Sequence, residues 1–130
     1  MRLLRYEQMG RIHLGVLKGE HIVPLDALQP EFPSIQAIAA GGSPALVRVA
    51  SHAETTASSV PLTKVRLLAP IERPGKYLAI GMNYRKHLKE AESIGVPAPK
   101  RQLWFNKQTT CIAAPFDKIE PGPTEQLDYE

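Results

Sequence analysis

The stretch "GMNYRKHLKEAE" sets a histidine and a glutamate three residues apart, His87 and Glu90, in a strongly charged segment. On a helix, positions i and i+3 share a face, so the carboxylate can reach the imidazole. A carboxylate on one ring nitrogen raises the basicity of the other, which prepares a histidine to take a proton from water. Of the four histidines only His87 has an acid at this spacing; His13, His21 and His52 read as solvated or half-buried side chains. The same pair also fits a solvated contact on an exposed helix, worth about 0.2–0.5 kcal/mol. Its place just past the apolar run "KYLAIGM" adds weight to the catalytic reading.

Two further groups could join it. In "EQLDYE", an extended backbone puts Asp128 and Glu130 on one face and Tyr129 on the other. Paired carboxylates of this kind suit Mg2+, Mn2+ or Ca2+ better than zinc, and two solvated acids are the plain alternative. Lys107 closes "LWFNK", where a lysine can anchor a substrate carboxylate as a point charge, or can simply run its stem along the sheet into solvent. Trp104 and Phe105 of that run are expected in a core. Cys111, in "CIAAP", is expected there as a small apolar residue rather than a nucleophile.

The elements that must position these groups follow from local pattern. "RLLRY", "RIHLGVL" and "HIVPL" read as a β-meander, with Ile12, Leu14 and Val16 on one face and turns at "QMG" and "KGE". Gly10 and Gly19 supply the positive φ those turns need. Asp26 and Ser34 are candidate helix caps. "SIQAIAAGG" reads as a short helix closed by Gly41. A second helix, "SPALVRVASHAETTAS", is expected to turn Leu46, Val47, Val49 and Ala50 inward. "SVPLTKVRLLAP" is extended, and "APIERPGK" marks a domain boundary near residues 70–75. "KYLAIGM" reads as a buried strand, and Asn83 caps a helix that Gly95 ends. "LWFNK" is a strand, and "DKIEPGPTEQ" a short strand entering a turn.

The totals bound the class. With 130 residues, 43% hydrophobic and 22% charged, the chain has the composition of a soluble globular protein. Net charge is +3, but the basic residues are scattered without an aromatic stripe, which argues against nucleic acid and is compatible with small anionic substrates. One cysteine precludes an internal disulfide. No apolar run is long enough to span a membrane or to form a signal peptide, so the cytoplasm is the expected location.

The runs "LLAPIERPGKYLAIGMNYRKHLKEA", "PAPKRQLWFNKQTT" and "DKIEPGPTEQLDYE" together resemble the fumarylacetoacetate hydrolase family. From Leu67 to Glu130 they follow the opening of its catalytic domain in order and spacing. The residues before them resemble the small N-terminal domain of many bacterial members. The resemblance implies an α+β chain, with a small β-meander and helix domain over residues 1–70. The truncated beginning of a mixed β-roll would follow over residues 71–130.

It further implies Mg2+ or Mn2+, a small 2-oxo or 1,3-dicarbonyl acid as substrate, and a homodimer in the full-length form. By position, His87 matches the family's catalytic histidine and Glu90 its dyad partner, on a segment from Asn83 to Pro99 that acts as a lid in relatives. Lys107 matches the lysine of the strand bordering the site. Glu130 matches the first glutamate of a Glu-x-Glu metal motif. The second glutamate and a later aspartate would lie beyond Glu130, so "LDYE" reads as an interruption, and little or no activity is expected of these 130 residues alone.

The expected reaction of the whole gene product is cleavage of a C–C bond in an acylpyruvate or fumarylpyruvate. The metal would chelate two substrate oxygens, and His87 would take a proton from the attacking water. Isomerising and decarboxylating relatives use the same enolate without that water. The competing readings are a non-catalytic interaction module that uses open strand edges and, last, a small nucleic-acid binder.

Overall fold

The computed structural model describes residues 1–123. Glu125, Asp128 and Glu130 lie outside the described residues. The chain is α+β, as expected, and divides into two compact units. One comprises Met1–Glu72 with the segment from Ala113 on, and the other is Arg73–Ile112.

The first unit is built on a meander of β1 (Leu3–Gln8), β2 (Arg11–Lys18) and β3 (His21–Pro24). Met9 and Gly10 both take positive φ, +50° and +73°, giving the two-residue turn whose twist matches that of the strands it joins. Two short strands, β4 (Val60–Pro61) and β5 (Arg66–Leu68), complete an antiparallel sheet of order β4-β3-β2-β1-β5. Arg66 lies opposite Glu7 and reaches it at 3.5 Å; its other terminal nitrogen binds Asp117 at 3.1 Å. Asp117 also accepts from the Ala114 N–H and closes a tight turn, so residues 117–120 form that turn and a loop rather than the expected strand. The Arg66 guanidinium holds the Asp117 carboxyl below its usual range.

Ser34 caps α1 (Ile35–Ala40) through a 3.0 Å bond from the Ala37 N–H. Asp26 caps nothing: it opens the 3-10 turn Asp26–Leu28, and its carboxylate faces His13. In α2 (Gly42–Thr55) the buried residues are Ala45, Val49 and Ala53, whereas Leu46 and Val47 are 41% and 68% exposed. The expected inward face is therefore off by part of a turn. At the start of the helix Gly41 lies so close to Ala45 that a Cβ there would come within 2.6 Å of the Ala45 Cβ. Ala45, Val49 and Ala53 are each one helical turn apart and form the row that packs into the core.

These helices cover one face of the sheet. Leu14, Val16, Val23, Leu25 and Leu28 form one core with Ile38, Ala45, Val49 and Ala53. By strand alternation Tyr6, Gly15 and Ile22 belong to the opposite face, where Tyr6 and Ile22 are also buried. Gly15 makes this possible. A Cβ there would overlap Ile22 Cγ2 and sit 3.2 Å from the Tyr6 ring.

The second unit has β6 (Leu78–Gly81), α3 (Arg85–Ser93) and β7 (Leu103–Asn106), with β6 and β7 antiparallel. α3 ends as Gly95 predicts. With φ +85°, its N–H bonds Glu92 O and the Val96 N–H bonds Ala91 O, which satisfies two terminal carbonyls. The flanking residue at its start is Tyr84, so Asn83 sits one position too early to cap.

"KYLAIGM" is not buried: Leu78 is 47% exposed, because β6 has a single strand partner among the described residues. Trp104 and Phe105 are likewise exposed on β7 rather than in a core. Cys111 is exposed in a 3-10 turn, its Sγ donating to Gln108 O at 2.8 Å. Among the described residues no helix is long and apolar enough to cross a membrane.

Candidate active site

The chain leaves β6 through Gly81 and Met82 and enters α3 three residues later. Met82 takes φ +53°, a left-handed conformation that costs a non-glycine residue about 1 kcal/mol or more and is retained where the surroundings enforce it. His87 Nδ1 lies 3.8 Å from Glu90 Oε2, an ion-pair distance longer than a hydrogen bond. Both side chains are exposed, so in water the contact is weak, about a few tenths of a kcal/mol. With Nδ1 turned to the carboxylate, Nε2 is the ring nitrogen left to exchange a proton with a ligand.

Lys107 follows β7, and its backbone N–H extends the ladder to Tyr77 O at 2.8 Å. The register pairs Leu78 with Asn106 and Gly81 with Leu103. Lys107 therefore lies at the end of the sheet where β6 begins, opposite the end from which the chain turns into α3. Its stem is half-buried and its ammonium sits 5.7 Å over the Phe105 ring, a cation–π contact that fixes its direction.

Around Lys107 is an open cleft of about 420 Å3 lined by Gly75, Lys76, Tyr77, Asn106, Gln108 and Thr109. The structure thus brings His87 and Glu90 together and gives Lys107 a cleft of its own. Glu130 lies outside the described residues. Among those described, no three His, Cys, Asp or Glu side chains converge to hold a metal ion, so the described residues alone do not fit one.

Two features were missed from sequence. Lys76, which begins "KYLAIGM", shares the Lys107 cleft, because antiparallel pairing returns residue 107 beside residue 77. Histidine 13 has an acid partner after all. His13 Nδ1 lies 2.8 Å from Asp26 Oδ1, and its ring stacks on Tyr6 with centroids 5.3 Å apart. Burial, and secondarily the Asp26 charge, push the Tyr6 phenol above its usual range. No spacing rule finds this pair. Thirteen positions separate its members, and only the path from β2 through β3 brings them together. It joins the 3-10 turn to β2, which is a structural task.

The family described as Rv2993c-like, N-terminal, matches residues 1–70. Over its whole length the chain is 32% identical to the bovine protein named oxaloacetate tautomerase FAHD2A, mitochondrial, and to its human counterpart. Over 72 residues, 55% of the chain, it is 38% identical to the Dictyostelium discoideum protein named fumarylacetoacetate hydrolase domain-containing protein 2 homolog. The chain spans 42% of the bovine and human proteins and its match covers 22% of the Dictyostelium one. Both regions read from the sequence, the small N-terminal domain and the segment bearing His87, fall within the full-length matches, and the chain belongs to the fumarylacetoacetate hydrolase family.

Proposed function

We propose that this chain supplies the proton-transfer residues of an enzyme that interconverts the keto and enol forms of a 2-oxo acid, with oxaloacetate as the model substrate. The observation that carries the reading is the His87–Glu90 pair on α3, in which the carboxylate faces Nδ1 at 3.8 Å and leaves Nε2 open to a ligand. Such a group takes the enol O–H proton and, as the imidazolium, gives a proton to the neighbouring carbon, so the ring ends neutral and no bond between carbons breaks. Glu90 supports the imidazolium formed in that step. The names of the relatives favour tautomerisation over the C–C cleavage first expected from sequence, because oxaloacetate tautomerase is the name most of them carry. Mg2+ or Mn2+ belongs to the same proposal, with Glu130 as the ligand this chain would contribute.

The test uses the full-length protein. The ultraviolet enol absorbance of oxaloacetate is followed beside the cleavage of an acylpyruvate. Tautomerisation should be the faster reaction, and His87→Ala should slow it about 100-fold or more, the usual share of a general acid–base group. Faster acylpyruvate cleavage would return the assignment to a hydrolase. Full activity in His87→Ala would remove the dyad from the chemistry altogether.

A further inference from the structure

Charge is divided unevenly between the two units. Half of the sixteen lysines and arginines fall in Arg73–Ile112, where Glu90 and Glu92 are the only acids, so eight cations against two acids give a net charge of +6 with His87 neutral. The rest of the chain holds eight cations against eleven acids, a net −3, and the two together make the +3 of the whole. Pairing differs in the same sense. In the first unit Arg5, Lys18, Arg48 and Arg66 each meet a carboxylate. Among the described residues no lysine or arginine of the second unit does, not even Lys86 with Glu90 at i and i+4 on α3. Seven of the eight are exposed. Arg85, Lys86 and Lys89 stand within two residues of His87 on that helix. A surface that only has to stay soluble mixes its signs, whereas a field of one sign is the arrangement that gathers counter-ions.

We propose that the second unit is a cationic collector that raises the concentration of an anionic substrate around His87. The proposal rests on the 2-oxo acid reading given above and adds how that acid reaches the dyad. A 2-oxo diacid such as oxaloacetate carries two negative charges at neutral pH, so each lysine attracts it twice as strongly as a monoacid. The attraction acts through water, and no ammonium group has to touch the substrate. Its range is the Debye length, about 30 Å at 0.01 M salt and about 8 Å at 0.15 M. The gain is therefore largest in dilute buffer and fades as salt rises. It lowers KM and leaves kcat alone, because the substrate once bound meets the same reacting groups.

Two measurements test this. On the full-length protein, kcat/KM for oxaloacetate is followed with rising salt in the parent, in Lys86→Gln/Lys89→Gln, and in Arg11→Gln/Lys64→Gln, which removes equal charge from the first unit. In dilute buffer the α3 pair should lower kcat/KM about threefold or more, through KM, and the difference should shrink as salt rises. Lys86→Arg/Lys89→Arg should keep the parent value. An unchanged kcat/KM, an equal loss in the first-unit pair, or a loss that persists at high salt overturns the collector. The second measurement needs no turnover. Trp104 is the single tryptophan of the 130-residue chain, lies in the second unit and is 58% exposed. At low ionic strength iodide should quench its fluorescence more than caesium does, each relative to free N-acetyltryptophanamide, and added salt should erase the preference. Equal quenching by the two ions overturns the proposal whatever the kinetics show. If iodide is preferred but the full-length protein does not act on oxaloacetate, the proposed reaction fails while the anion-gathering field stands.

Discussion

The two units of this chain spend their apolar residues differently. In the first, Tyr6, Ile22, Ile38 and Val49 are essentially shut off from water, and the core runs continuously from the sheet into both helices. In the second, Ala91 is the buried hydrophobic residue, while Leu78, Leu103, Trp104 and Phe105 of its two strands lie between 39% and 58% exposed. Yet the candidate residues His87, Glu90 and Lys107 are carried by the second unit. Burial of apolar surface supplies most of the driving force for folding, at about 25 cal/mol per Å2. The first unit therefore carries its own stability, and the second presents functional groups on a frame with little core of its own.

That contrast can be broken directly. In the 130-residue chain, Ile38→Ala should cost about 2–5 kcal/mol in denaturant unfolding, because it leaves a cavity in a closed core. Trp104→Ala should cost less than about 1 kcal/mol, since much of the ring already contacts water. Equal losses would mean that the second unit is as tightly folded as the first.

Gly15→Ala tests the opposite face of the sheet. Its new methyl must displace Ile22 or Tyr6, for an expected loss of about 1–3 kcal/mol. A neutral result would show that this face is loosely packed. Ser34→Ala removes the cap of α1 and should cost about 1 kcal/mol, with helix content read by circular dichroism.

The smallest effect concerns pH. The Tyr6 phenol is raised by burial, so its contribution is fully present below the ordinary tyrosine value and is lost as pH rises through the raised one. Stability of the first unit should thus fall on the alkaline side beyond about pH 10, and Tyr6→Phe should flatten that limb. Hydrogen exchange sharpens the comparison. Amides of β1–β3 should exchange only on global unfolding, and those of β6 and β7 through cheaper local opening.

The sequence reading succeeded where a few neighbouring residues decide the outcome. The turns at Gly10 and Gly19, the Ser34 cap, the Gly95 terminus and the strands of the meander all follow from local sterics and period, and all are present. It failed where the environment of an element decides. An unbroken apolar run such as "KYLAIGM" states that a strand can be buried, whereas exposure depends on how many neighbours it has. The inward face of α2 is the row Ala45, Val49 and Ala53, which packs with residues of the sheet and α1, while the more apolar Leu46 and Val47 stay exposed.

By itself, then, the sequence determined the order of elements, the turns that join them and the His87–Glu90 spacing, since each depends on backbone geometry within a few residues. Tertiary structure alone decided that Tyr77 pairs with Lys107, that His13 finds Asp26, and which hydrophobics leave water. Those outcomes depend on strand register and chain reversal, which bring together positions that no local pattern relates.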